Sequence, residues 1–245
     1  MLPTGAEPQD SFPKLIHFIW LGPKPIPDTF VNFLLPQWRD KHLESSGYEI
    51  KIWGETDLES LDFLLHREVI LDKDLNPALR ADFLRLELLC KFGGLYADVD
   101  MTCERNVFEG LQSRFDTAKV GFVTGVSNTQ AFEVNNGILL SKPGNTFTRH
   151  LIERLGRSIA KERKAVAALT TKENQLIQML SLIDPAKAAQ MKQSSQGHQL
   201  NVIRTSGPGF VTQTIFAYLS GLAQLPQAYT SQAQSPQADA TQDGD

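Results

Sequence analysis

The run Leu15-Ile16-His17-Phe18-Ile19-Trp20 follows Lys14 without a break, and Leu21-Gly22-Pro23 closes it. A strand with one solvated face alternates apolar and polar residues. An uninterrupted apolar run bounded by Gly and Pro instead reads as a strand buried on both faces, the kind found in parallel sheets. His17 within it reads as a hydrogen-bonded core histidine. Tyr48 to Trp53 (YEIKIW) alternates and reads as a second strand. Between them, Asp28 caps a helix reaching about His42 and bent near Pro36. A helical stretch follows from about Glu55 to His66.

Asn76-Pro77 starts the next helix, with an Asn cap and Pro in the first turn. Leu79, Phe83, Leu86 and Cys90 recur along it at helical spacing, and Gly93-Gly94 ends it. Leu95 to Val99 reads as a short strand that stops at Asp100. Further strands are expected at Val120–Thr124 and Val134–Leu140, and helices at Thr146–Ala160, Glu173–Leu182 and about Gly209–Leu219. This alternation argues for an α/β sandwich with a mainly parallel central sheet flanked by helices.

The 245 residues, 41% of them hydrophobic, suffice for one domain with a sizeable core. We place that domain at 12–223, between a disordered N-terminus (1–11) and a disordered polar tail (224–245) of Gln, Ala, Ser, Thr, Asp and Pro. A net charge of −4 leaves no overall electrostatic footprint for nucleic acid or an anionic membrane. Cys90 and Cys103 read as core thiols of a reducing compartment. Met1 to Asp10 has no signal-peptide pattern and no apolar run reaches membrane-spanning length. The expectation is therefore a cytoplasmic chain without a membrane span, with an export or effector role left open.

Residues two apart on a strand share a face. Asp98 and Asp100 would then present two carboxylates together at a strand end, where open α/β sheets bind ligands. Mg²⁺ and Mn²⁺ favour such oxygen ligands and often complete their shell with substrate phosphates. A D-x-D by itself is weak, since Asp72-Lys73-Asp74 repeats it. Upstream, Asp82 and Arg85 stand three apart on one helix face. Taken alone, that pair reads as an exposed intrahelical ion pair, and Trp20 as a core aromatic.

Ala81-Asp82-Phe83-Leu84-Arg85-Leu86, then Gly93-Gly94-Leu95-Tyr96-Ala97-Asp98-Val99-Asp100, resembles the DxD block of glycosyltransferase family 32. That family includes sugar transferases like the yeast Golgi initiating mannosyltransferase and is related to the glucosylating domains of large clostridial toxins. Pro13 to Gly22, Asn135-Asn136-Gly137 and Ser206-Gly207-Pro208-Gly209 support the resemblance, which covers roughly Phe12 to Phe216. It implies a GT-A type nucleotide-sugar-binding fold, a UDP- or GDP-linked donor, retention of configuration and Mn²⁺ (or Mg²⁺). It also implies the roles. Trp20 stacks on the donor base, Asp82 holds donor hydroxyls, and Arg85 lies near the sugar or diphosphate. Tyr96 precedes the acidic pair, Asp98 faces ribose and sugar, and Asp100 is the direct metal ligand. Asn136 and Gly207 fall with the donor-binding residues, and Asp98, Asp100 and Arg85 with the catalytic ones. The acceptor, whether glycan, lipid or protein side chain, is not specified.

One departure stands out. Relatives carry a C-terminal segment with Trp, His, Asn or Ser that closes over metal and diphosphate, whereas no Trp follows Trp53 here. Those contacts then come from elsewhere, near His198 or Gly207, or the lid is absent. Two rival readings follow: a nucleotide-sugar-binding relative without turnover, and a haloacid-dehalogenase-type phosphatase. The second takes Asp98-Val99-Asp100-Met101-Thr102 as its D-x-D-x-T signature, with Asp98 as nucleophile and Asp100 as general acid. It needs a later Lys, for which Lys142 serves, and a further acidic pair that the sequence lacks before the tail.

Overall fold

The computed structural model describes residues 11–127, 133–194 and 206–223, so the expected disordered ends lie outside it except for Ser11. Five strands, β1 (Leu15–Ile19), β2 (Glu49–Trp53), β3 (Gly94–Ala97), β4 (Phe122–Ser127) and β5 (Glu133–Ser141), form one sheet in the order β2-β1-β3-β5-β4. β1 is parallel to β2 and β3, whereas β5 is antiparallel to both β3 and β4. Four strands thus share one direction and β5 alone runs against them. Its reversal follows from chain length, because the link from Ser127 to Glu133 is too short for a parallel crossover.

β1 is covered on both faces, as its composition demands. Ile16 and Phe18 pack with Phe30, Trp38, Leu95 and Leu140 on one side of the sheet, while Ile19 joins the other core with Phe83, Leu88 and Leu139. A π-helical turn (Phe30–Leu34) leads into α1 (Leu35–Ser46), which lies over the first face. The turn immediately precedes Pro36, whose missing N–H leaves a gap in the i→i−4 ladder. α4 (Pro77–Phe92), α6 (Thr146–Ile183) and α8 (Pro208–Ala223) cover the second.

Asn76 caps α4 as expected, its side chain accepting from the Ala78 N–H at 2.8 Å. Gly93 alone separates α4 from β3. Gly94 takes φ +89, and a Cβ there would lie 2.3 Å from the Leu15 carbonyl oxygen, so only glycine lets β3 close on β1.

Three expectations differ from the structure. The helix expected over 55–66 is reduced to α2 (Glu55–Leu58), with α3 (Arg67–Ile70) beginning only after His66. Side chains take the backbone groups in between. The Glu87 carboxylate accepts from the Leu65 and His66 N–H groups, and Arg67 donates to the Leu61 and Glu59 carbonyls. The helices expected at 146–160 and 173–182 are one helix, α6, because the alanine-rich join holds no Gly or Pro to break it. β3 ends at Ala97, so Asp98 and Asp100 lie in the following turn and not on a strand face. The remaining helices are α5 (Val107–Gln112) and α7 (Pro185–Ser194). Among the described residues no helix is long and apolar enough to cross a membrane.

Both cysteines are buried and free, in keeping with their reading as core thiols. His17 is fully buried and fully satisfied. Its Nε2–H donates to the Gly93 carbonyl at 2.9 Å and its Nδ1 accepts from Trp53 Nε1 at 3.0 Å. The bond from Trp53 requires the neutral ring, and burial lowers the ring's pKa to about 4 against the pull of the Gly93 carbonyl. Unfolded, the ring takes a proton near pH 6.5, which the folded protein refuses until about pH 4. Its contribution to stability is therefore complete above pH 6.5 and declines as pH falls through that window. His17→Gln keeps a donor for Gly93 but loses the titration. Denaturant melts should show a stability gap between wild type and His17→Gln that narrows by about 1 kcal/mol per pH unit from pH 6.5 toward 4. A pH-independent gap would refute this account.

Candidate active site

α4 is buried nearly all round, and four of its buried residues, Arg80, Asp82, Arg85 and Glu87, are charged. Each needs a partner, since an unpaired buried charge is strongly destabilising. Asp82 and Arg85, 4% and 6% exposed, are not the surface pair that their spacing alone suggests. The Arg85 guanidinium meets Asp82 Oδ1 at 2.9 Å, Asp98 Oδ1 at 3.4 Å and the Asn136 carbonyl at 2.6 Å. It also lies over the Tyr96 ring at 4.4 Å. The Tyr96 hydroxyl donates to Asp98 Oδ1. Arg85 thus draws Asp82, Tyr96, Asp98 and Asn136 into one network.

Asp82 is further held by Asn136 Nδ2 at 3.1 Å and by the Ser206 hydroxyl at 2.6 Å. Gly207 is buried beside Ser206 at the entry to α8. Burial raises the Asp82 pKa to about 6, against the pull of Arg85 and the hydroxyl and amide donors. Burial also pushes the Tyr96 phenol well above its ordinary value. For Arg85, burial opposes the charge, but Tyr96, Asp82 and Asp98 outweigh it and hold its pKa above the ordinary value.

β5 is irregular where it meets this network. Its pairing with β4 jumps from Leu139 opposite Thr124 to Asn135 opposite Gly125. The residues thrown out of register are Asn136, Gly137 and Ile138, and bulges of this kind re-aim groups beside active sites. The Asn135 side chain accepts the Gly137 N–H at 2.6 Å, and the Gly137 carbonyl accepts the Asp98 N–H at 2.8 Å. A Cβ on Gly137 would sit 2.6 Å from Asp98 Oδ2 and 2.7 Å from Met101 Cε, so this glycine makes room for the carboxylate.

Trp20 is half-buried and lines an open cleft, so it is not a core aromatic. The cleft, of about 460 Å³, also takes Leu21, Lys24, Pro77, Ala81 and Val99 into its wall. Val99 stands between the two acidic residues, which sets the cleft against the Asp98–Asp100 turn. Trp20 Nε1 donates to the Lys24 carbonyl at 2.8 Å, which fixes the ring on its loop.

Sequence reasoning missed the pair that anchors that loop. Glu55 accepts from both Arg80 Nη atoms at 2.8 Å each and from the Gly22 N–H at 2.8 Å, while Arg80 Nε donates to the Ile70 carbonyl. Glu55 and Arg80 lie 25 residues apart, and no local pattern signals the pair.

Asp100 is exposed and makes no hydrogen bond or ion pair with the described residues. Asp98 keeps one oxygen for Tyr96 and Arg85 and turns the other toward Gly137. No group of three or more His, Cys, Asp or Glu side chains gathers for a metal among the described residues. Two hard oxygen ligands fit a cation that takes the rest of its shell from a bound phosphate and water, but not a closed all-protein site. His198 lies outside the described residues.

Residues 31–117 match the glycosyltransferase sugar-binding region containing DXD motif. Subversion of eukaryotic traffic protein A of Legionella pneumophila is 27% identical over 172 residues, 59% of this chain and 25% of its own length. The chain therefore spans about a quarter of that relative. The UDP-bound glycosyltransferase domain of the YGT toxin superposes with a TM-score of 0.55 at 11% identity, covering 88% of this chain and 79% of its own. The catalytic domain of Clostridium novyi alpha-toxin gives a TM-score of 0.51 at 11% identity, covering 83% and 72%. The motif match favours the sugar-binding reading of the D-x-D over the dehalogenase-type one. Residues 31–117 thus match a glycosyltransferase sugar-binding region containing the DXD motif, and the fold around them is that of GT-A glycosyltransferase domains.

Proposed function

We propose that this chain transfers a hexosyl group from a UDP- or GDP-linked nucleotide sugar, with retention of configuration, using Mn²⁺ or Mg²⁺ held by Asp100 and Asp98. The observation that carries the reading is the junction of two features. The network around Arg85 ends at Asp98, and the open cleft under Trp20 ends at Val99, one residue further on. A ligand with a flat base and a diphosphate fits that sequence of surfaces.

On this reading Trp20 offers its ring to the base, and Lys24 stands at the cleft wall as a cation for the donor's charge. Asp98 is oriented by Tyr96 and Arg85 and faces ribose and sugar. Asp100 is free to ligate the cation, which when bound stabilises charge on the departing diphosphate. Asp82 has no unoccupied oxygen: Ser206 takes the position a sugar hydroxyl would use, and that hydroxyl displaces it when donor binds. The rival reading, binding without turnover, is separated by experiment.

Hydrolysis of a panel of nucleotide sugars tests the proposal without knowledge of the acceptor. One donor should be hydrolysed with Mn²⁺ and spared in excess EDTA. Asp100→Asn should lower that rate by about 100-fold with an unchanged melting temperature, since an exposed carboxylate contributes little to stability. Tight donor binding with no hydrolysis under any cation would favour the rival.

Trp20→Ala should raise KM about tenfold and leave kcat nearly unchanged, because stacking on the base acts equally in ground and transition states. A large loss of kcat at constant KM would remove Trp20 from the base site.

Gly137→Ala presses a methyl on the Asp98 carboxylate. Its kcat should fall by an order of magnitude or more, while circular dichroism keeps the wild-type spectrum. Wild-type turnover would show that Asp98 needs no such placement.

A further inference from the structure

α6 packs on the protein body only along its first half, where Leu151, Ile152, Leu155 and Ile159 are buried. None of its described residues beyond Ile159 is buried, so the rest of the helix stands away from the core. α7 covers one side of this projecting part: Asn174, Ile177, Gln178 and Ser181 share a groove with Pro185 and Ala188. Among the described residues the opposite side is open.

On that open side a single row of positions runs at spacings of three and four, and therefore along one face. Its first part is cationic. Arg157, Lys161, Lys164 and Lys172 are all exposed, and none has an ion-pair partner among the described residues. Its last part is apolar. Leu176, Met179 and Ile183 follow on the same face, 47%, 62% and 81% exposed, with Leu182 beside them at 85%.

Charge is also segregated here. Residues 146–194 hold nine Lys and Arg against four Asp and Glu, a surplus of five positive charges in a chain whose net charge is −4. The whole-chain sum, which gives no footprint for an anionic surface, conceals this local one.

We propose that this face of α6 docks the chain on an anionic lipid surface. Leu176, Met179, Leu182 and Ile183 enter the headgroup–acyl boundary, and the lysines and Arg157 meet the lipid phosphates and carboxylates. Cationic stems beside exposed aliphatic side chains are what interfacial helices present. A protein partner is less well served. Binding hot spots on proteins are mainly aromatic or Arg anchors seated in pockets, whereas this face is convex and its apolar end purely aliphatic. Lying on the surface also agrees with the lack of a membrane-crossing helix among the described residues. The proposal is independent of the sugar-transfer reading.

Co-sedimentation of the full chain with vesicles tests it. Vesicles of phosphatidylcholine with about 30 mol% phosphatidylserine should bind at least about tenfold more tightly than pure phosphatidylcholine, and high salt should release the protein. Two triple variants, K161E/K164E/K172E and L176S/M179S/I183S, should each weaken binding about tenfold while keeping the wild-type circular dichroism spectrum. Nucleotide-sugar hydrolysis in solution serves as a separate control and should not change. Absence of vesicle binding at low salt, or binding that both variants retain, overturns the proposal. So does a dimer in sedimentation that the apolar variant dissociates without any vesicle binding, since the occupant is then a second copy.

Discussion

A guanidinium is held inside this protein, and the site is arranged around it. Arg85 is 6% exposed and carries a charge that the interior would reject without partners. Asp82, Asp98 and the Asn136 carbonyl supply them from α4, from the turn after β3 and from β5. Each partner is in turn fixed by another: Asp82 by Ser206, Asp98 by Tyr96, Asn136 by the break in the β5 ladder. Removing one member of such a set leaves an uncompensated charge, at a penalty of about 3–5 kcal/mol. The polar site is thus as much a part of the fold's stability as the apolar layers on either side.

Much of this was legible in the sequence because it rests on local rules. β1 declares itself by an apolar run, α4 by its Asn-Pro start and Gly-Gly end, and the acidic pair by its place after a strand. His17 follows from the same logic, being a polar group on a buried strand that must find two partners. Asp82 and Arg85 show the limit. Three-residue spacing places them on one face, but whether that face meets water depends on β5 and on Ser206 just before α8, more than 50 residues away. Glu55 and Arg80 were invisible for the same reason. The even spread of apolar residues along α4 was the available signal that it has no solvated side.

The helix expected at 55–66 failed for an instructive reason. Backbone hydrogen bonding is an accounting requirement and not a preference for helix, and buried Glu87 meets it for Leu65 and His66. The same side chain also accepts from His66 Nδ1 at 2.9 Å. Long-range side-chain capping of this kind leaves no trace in local propensity. It also explains how a mostly irregular stretch between β2 and α4 stays packed against the core.

The single residue between α4 and β3 has a mechanical consequence. Gly93 is boxed in by Pro143 and Pro13, Gly94 touches the β1 backbone, and the Gly93 carbonyl is bonded to His17. No slack remains at this joint to absorb a shift of α4 against the sheet. Asp82, Arg85 and Asp98 are therefore held in one fixed relation by this joint and by their own ion pairs. Any rearrangement that accompanies ligand entry falls on the rim: on the Trp20 loop, whose Gly22 N–H is held by Glu55, or on residues 206–209, where the Ser206 hydroxyl meets Asp82.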